Sequence, residues 1–393
     1  MPGVCPATGR DNVAMKPSGS HSLHDAFRKA NAATFLFSTS GAFFLLLPVY
    51  LQQSGSSPAQ IGLVAGLLRA SSLVARPLAG RLLDRFGRRP VTAAGAGLAI
   101  VGVLSLFAFP RVGIPFLVMR ILQGIGTSLV DSGLGATVAD LSPPAARARV
   151  FSIYTAWMNL ASALMPGAGE AIARHGGFFS LFGAAALVLT GGLLMVERLP
   201  ETAPPHHKEV EPLPSLIKGA APLLLGGVVV GLAYGVLSVF VPVARIAAAP
   251  GRVGMFFFAY FVGLIGVRLA GGLGLEWVAR PRVLLPGYGL MAAGLAALPL
   301  GHSSILLVSV GLICGASHGI LMPVIYALLL FGVPRDRRGW AVALLAAAFD
   351  LGNVVGVVGL GLAAEGLGYR GIFALAAVAV AAGAATAHWW GRR

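Results

Sequence analysis

The chain has 393 residues, 56% hydrophobic and only 11% charged, with a net charge of +15 and a mean hydropathy of +0.82. Soluble domains carry about 25% charged residues, so this composition excludes a soluble globular protein. In a membrane chain a basic excess is first an orientation signal, which leaves nucleic-acid binding without support.

Residues 1–30 are polar, carry Arg10, Lys16, Arg28 and Lys29, and lack the apolar core of a secretory signal; they are expected to form a cytoplasmic tail. A helix crossing a hydrocarbon layer of about 30 Å needs about twenty apolar residues. Such runs predict spans at 31–52, 59–79, 91–109, 112–138, 146–170 and 178–197, then at 219–243, 251–274, 283–300, 303–330, 338–364 and 370–390. The expected fold is all-α and integral to the membrane: twelve transmembrane helices in two six-helix bundles, 31–197 and 219–390. The break at 198–218 holds Pro204, Pro205, Pro212 and Pro214 and reads as a cytoplasmic linker; 391–393 form the C-terminus. The adjacent His206 and His207 in that break read as polar loop residues, and Cys5 and Cys314 have no metal or disulfide spacing. No metal or cofactor is expected.

Twelve spans put both termini on one side. Twenty of the 29 Lys and Arg fall in the tails and the loops on that side, whereas Arg111, Arg174, Arg245, Arg252 and Arg370 lie in the opposite loops. By the positive-inside rule both termini are expected to be cytoplasmic, in a bacterial inner membrane. The halves also repeat. A shift of 192 residues aligns Pro58, Gly62, Arg76 and Gly80 with Pro250, Gly254, Arg268 and Gly272. A shift of 191 aligns Gly124 with Gly315, Pro143 with Pro334, Arg147 with Arg338, Asn159 with Asp350, and Gly177 with Gly368. Six intervening spans make these parallel repeats, with a pathway expected at their interface.

The loop after the second span carries Gly80, Asp84, Arg85, Gly87, Arg88 and Arg89. With Arg120, Gln123 and Gly124 in the fourth span and Pro143 and Arg147 after it, this pattern resembles the major facilitator superfamily along nearly the whole chain. The resemblance implies a carrier in which Gly80, Asp84, Arg85, Gly87 and Arg88 latch the cytoplasmic side when the protein opens outward. Gly80 is expected to let helices approach closely. In the fifth span Pro166 and Gly169 match a motif of the superfamily's antiporters, although Ala161 and Met165 stand where glycines are usual. That departure weakens the case for export.

Ionisable groups at membrane depth are costly unless paired or hydrated, so each is a candidate site. With Arg76 and Arg268 set aside as near span ends, the candidates are Arg69, Arg120, Asp131 and Asp350, with His318 as a neutral titratable group. Counting 1.5 Å per residue places Arg69 about 15 Å and Asp350 about 18 Å into their spans, near the midplane from opposite sides. Asp350 either pairs with Arg69 across the halves or bonds within its own half. Arg120 and Asp131 are eleven residues apart, close to three helical turns, and share a helix face. They offer a cation and a proton-titratable carboxylate, suited to an anionic or zwitterionic solute with a coupling proton. Phe35, Phe37, Ser38, Ser40, Tyr234, Ser238, Cys314, Ser317 and Tyr326 are further polar or aromatic positions, as suited to helix packing as to a solute, and Glu170 reads as a hydrated helix-end charge. No nucleophile–base pair or P-loop occurs, so neither an enzyme nor an ATP-driven pump is expected. The expected function is a monomeric secondary transporter in the lipid bilayer, a proton-coupled antiporter exporting a metabolite or drug-like small molecule. Uptake symport and a carrier-like sensor are the alternatives.

Overall fold

The computed structural model describes residues 20–143, 146–202, 214–244, 249, 251–272, 281–301, 303–331, 333 and 338–391. The described chain is helical: α1 (Ser20–Phe43), a 3₁₀ turn (Phe44–Leu46), α2 (Leu47–Gln53), α3 (Pro58–Phe86), α4 (Arg88–Ala108), α5 (Ile114–Asp140), α6 (Arg147–Glu197), α7 (Pro214–Phe240), α8 (Arg252–Gly272), α9 (Leu284–Ala297), α10 (Ser304–Phe331) and α11 (Arg338–Gly391). Nine described helices are long and apolar enough to cross a membrane, and Leu284–Leu300 adds a shorter apolar one. At 51 and 54 residues, α6 and α11 are each interrupted by one non-helical glycine, Gly177 and Gly368, and each holds more than twice the roughly 20 residues that cross a hydrocarbon core. Each therefore holds two crossings, and twelve crossing lengths result.

Both long helices turn at one glycine. Gly177 (φ 76°) and Gly368 (φ 64°) adopt backbone conformations that a β-carbon disfavours. They are the pair matched by the 191-residue repeat, so the repeat is one of backbone as well as of letters. Helix crossings repeat too. A β-carbon at Gly124 would lie 2.4 Å from the Leu68 carbonyl oxygen where α5 crosses α3, and one at Gly315 would lie 1.8 Å from that of Tyr260 where α10 crosses α8. Leu68 and Tyr260 are themselves related by the 192-residue shift.

Three boundaries depart from the sequence expectation. Residues 20–30 of the expected tail are helical, because no glycine or proline interrupts 21–30 and Asp25 pairs with Lys29 one turn on at 2.5 Å. Residues 214–218 of the expected linker belong to α7. The breaks expected at 171–177 and 365–369 are shorter than expected, narrowed to the non-helical Gly177 and Gly368 with helix on either side. His206 and His207 lie outside the described residues, as does the segment 1–19.

The outer surface is apolar in the way lipid requires: Ile114, Leu300, Ile305 and Phe331 are each at least 79% exposed. The face where α1 starts and α3 ends is called the terminal face below, and the face at the α2–α3 turn the distal face. That turn is fixed locally: Ser57 accepts from the Gln60 amide at 3.3 Å, the Gln60 side chain accepts from the Ser57 amide at 3.0 Å, and Pro58 opens the helix.

Candidate functional site

Between the halves lies a cavity of about 170 Å³. Its polar wall comes mainly from α5, where Arg120, Gln123, Thr127 and Asp131 follow one another at spacings of three and four and so form one stripe. Arg69 of α3, Ser40 of α1, Ser238 of α7 and Asn353 of α11 complete it, and Phe37, Phe44, Leu51, Ile61 and Val64 supply an apolar wall. Arg120 is buried; one of its terminal nitrogens donates to the Gln123 side-chain oxygen, and its guanidinium lies 5.3 Å from the centre of the Phe44 ring. Asp131 is exposed although it lies inside the helical bundle, which marks it as facing the aqueous opening. Arg69, Arg76 and Asp350 all lie within its electrostatic reach.

Asp350 does cross between the halves, but its partner is Arg76, at 2.6 Å, and not Arg69. Arg76 stands seven residues further along α3, about two turns toward the terminal face. His318 does not line the cavity. Its Nδ1 is 2.5 Å from the Tyr260 hydroxyl, and its ring stacks on Phe349 and meets Tyr234 edge-on, so the second half holds an aromatic cluster beside α11.

Distal to the cavity the halves are sealed along two related seams. On one, a β-carbon at Gly62 would lie 2.3 Å from the Val357 carbonyl oxygen, and the Ala59 amide donates to Glu365 at 3.3 Å. On the other, a β-carbon at Gly254 would lie 2.5 Å from Gly167 Cα, and Glu170 accepts from the amides of Gly254 at 2.7 Å and Val253 at 3.4 Å. Gly62 and Gly254 are a repeat pair. Glu170 is thus not a free hydrated charge: it caps the start of α8 across the interface, where helix N-termini favour anions. Gln52 adds a hydrogen bond to the Val243 carbonyl at 3.1 Å.

Comparison with known proteins decides the family. The model of the Major Facilitator Superfamily matches residues 30–246 and again 223–393. The chain belongs to the major facilitator superfamily. It is 28% identical over 396 residues, 95% of each chain, to an uncharacterized MFS-type transporter of Burkholderia mallei. Over 164 residues, 41% of each chain, it is 27% identical to the quinolone resistance protein NorA of Staphylococcus aureus. Among solved structures it shares its fold with a D-xylose-proton symporter at a TM-score of 0.74 and 17% identity, covering 93% of this chain and 97% of that one. The human organic anion transporter MFSD10 aligns at a TM-score of 0.68 and 16% identity, over 95% and 100%. The protein is therefore a multi-pass membrane transporter.

The superfamily's loop motif forms a network within the first half. Arg88 pairs with Asp84 at 2.9 Å and with Asp140 at 3.2 Å, and Arg89 pairs with Glu197 at 2.9 Å. Gly87, at φ 93°, separates α3 from α4, and Glu201 accepts from the amides of Arg88 at 2.6 Å and Arg89 at 3.1 Å. Arg85 is exposed and lies over the Phe86 ring. Gly80 does not serve a close helix approach, because a β-carbon there would meet nothing within 4 Å; its side of α3 is unopposed, whereas Ala79 and Leu83 on the other side are buried against α4 and α5. In the fifth-span motif Pro166 is buried, and a β-carbon at Gly169 would come within 3.0 Å of Leu46 and Phe43. With Gly167 on Gly254, this motif lies along the distal seam. Asn353, Thr127, Asp140 and Glu201 escaped the sequence reading because neutral amides and hydroxyls, and carboxylates near loops, carry no burial anomaly. Asn353 had one available signal, its place three residues after Asp350 on the same face.

Proposed function

We propose that this chain is a proton-coupled secondary transporter that exports a small organic solute by alternating access. The observation that carries the reading is Asp131, an exposed carboxylate inside a central cavity shared with two arginines. A carboxylate so placed gains and loses a proton without leaving the pathway, and its charge acts on Arg69, Arg76 and Asp350 around the interface. Protonation removes one charge from a balanced set and so biases the equilibrium between the conformations. The terminal face, richer in basic residues, is read as cytoplasmic, which puts both termini inside the inner membrane and makes the conformation with the sealed distal seams inward-facing. In the opposite conformation the Asp84, Arg88 and Asp140 network would act as the terminal latch, with Gly80 finding its neighbour there. Export is supported by the likeness to a quinolone resistance protein and by Pro166 and Gly169 at the distal seam.

Uptake symport is the second reading, and one observation favours it. Arg69 and Arg120 share the cavity with Asp131, so protonating Asp131 raises the local positive charge and strengthens the hold on an anion, binding proton and solute together. Inside-out membrane vesicles carrying a pH-sensitive dye and challenged with a panel of organic solutes test both. Solute-dependent proton release from the vesicle interior supports export by antiport, and proton movement together with the solute supports symport. An Asp131→Asn variant that keeps the wild-type proton response refutes Asp131 as the coupling group.

A further inference from the structure

The central cavity holds hydrogen-bond donors that the fold does not use. Arg120 and Asn353 are 4% and 1% exposed and both line the cavity, yet Arg120 Nε and Asn353 Nδ2 make no hydrogen bond within the chain. A buried donor without an acceptor carries its full desolvation cost, and such orphans need an explanation. The buried oxygens of Asn31, Thr39 and Ser128 are also unpaired, but they lie away from the cavity. The two cavity donors come from opposite halves: Arg120 from α5, Asn353 from α11.

Charge points the same way. The cavity wall carries Arg69 and Arg120 against Asp131 alone, a net charge of +1. Arg69 lies close enough to Arg120 for the two guanidinium groups to repel. An anion between them relieves that repulsion, and one negative charge matches the excess. Only acceptors suit both orphan nitrogens, and a carboxylate offers two oxygens to two donors at once. The apolar lining, with Phe37, Phe44, Leu51 and Val64, fits an apolar body.

We propose that the solute is an organic monoanion, a carboxylate on a small apolar body, whose head accepts from Arg120 Nε and Asn353 Nδ2 together. This rests on the reading of the central cavity as the solute site. The bound anion then joins the halves one turn from Asp350, itself held by Arg76 of α3. Solute and ion pair thus tie the same face of α11 to the first half. Asn353 is the specificity-determining residue of the second half, because its amide donates where a carboxylate of the same size would repel.

The test uses purified full-length protein with 3-phenylpropionate and its uncharged amide, 3-phenylpropionamide, as probes. The acid is expected to bind about tenfold or more tightly than the amide, the scale of a hydrogen bond to a charged group. Asn353→Asp is expected to erase that preference, and Arg120→Gln provides the same test from the other half, with a cooperative unliganded melting transition showing that each variant is folded. In a Cys5→Ser background, a Thr127→Cys protein is expected to be shielded from a maleimide by the acid and not by the amide, a readout that leaves both anchors intact. Equal binding of acid and amide, or binding of neither, overturns the anionic assignment and leaves the cavity reading standing if the amide shields Thr127→Cys. An acid preference undiminished in both anchor variants, with no shielding at Thr127→Cys, places the anion elsewhere and overturns the cavity reading with it.

Discussion

Replacing Asp350 by Asn removes the negative charge of the ion pair that joins α3 to α11 and leaves Arg76 without its counter-charge. Loss of one partner from a fully buried pair costs about 3–5 kcal/mol, whereas exposed pairs are worth about 0.2–1 kcal/mol. The side chains of Arg76 and Asp350 are 37% and 13% exposed, so solvent screens the pair in part and an intermediate cost of about 1–3 kcal/mol follows. Since each 1.4 kcal/mol is a factor of ten, the sealed conformation should lose roughly five- to hundredfold in population relative to the open one. A cysteine at Val64, fully buried on the cavity wall beneath the distal seam, reads this out with a membrane-impermeant maleimide added from the distal side. Labelling should accelerate in Asp350→Asn and in Arg76→Gln, and the exchange Arg76→Asp with Asp350→Arg should restore much of the wild-type protection. Unchanged labelling in the single variants, or an exchange no better than either of them, would show that the pair does not hold the sealed conformation.

Three other perturbations follow from the same geometry. Glu170→Gln removes the charge from the start of α8 and should speed distal labelling of Val64→Cys several-fold, in line with about 0.5–2 kcal/mol for an anion at a helix N-terminus; Glu365→Gln on the other seam should act in the same direction. Gly177→Ala and Gly368→Ala should each lower the melting temperature, because a β-carbon in left-handed backbone costs about 1–2 kcal/mol, while Gly359→Ala, with nothing within 4 Å of its added carbon, should not. Glu201→Ala frees the Arg88 and Arg89 amides at the start of α4 and should destabilise by about 1 kcal/mol, visible as faster hydrogen exchange at those two amides.

The membrane class was legible from composition, and the family from one loop of ten residues. The repeat was legible as well, and it reached further than expected, since Gly177 and Gly368 are equivalent bends and Leu68 and Tyr260 equivalent crossing points. The α5 stripe followed from helical periodicity alone, which brings Arg120 and Asp131 to one cavity. What depended on the third dimension was less accessible. Counting rise per residue placed Arg69 at the depth of Asp350, yet two turns of α3 separate the expected partner from the actual one. The role of Glu170 was hidden because an acid near a helix end looks the same whether it meets water or another helix's N-terminus. Gly80 was read as a contact, yet a β-carbon there would meet nothing within 4 Å, and no pattern of letters reports such an open side.

The central claim, that a proton on Asp131 drives exchange between two conformations, is tested most directly by pulsed electron spin distance measurement on the distal face. Spin labels at exposed Ser54 and Gly366 report the separation of the two halves there, with no solute required. The account predicts two distance populations in the wild type, the shorter matching the sealed seams, whose ratio changes with pH, and an Asp131→Asn protein whose ratio does not. A single short distance at every pH, or a pH response that persists unchanged in Asp131→Asn, would contradict it.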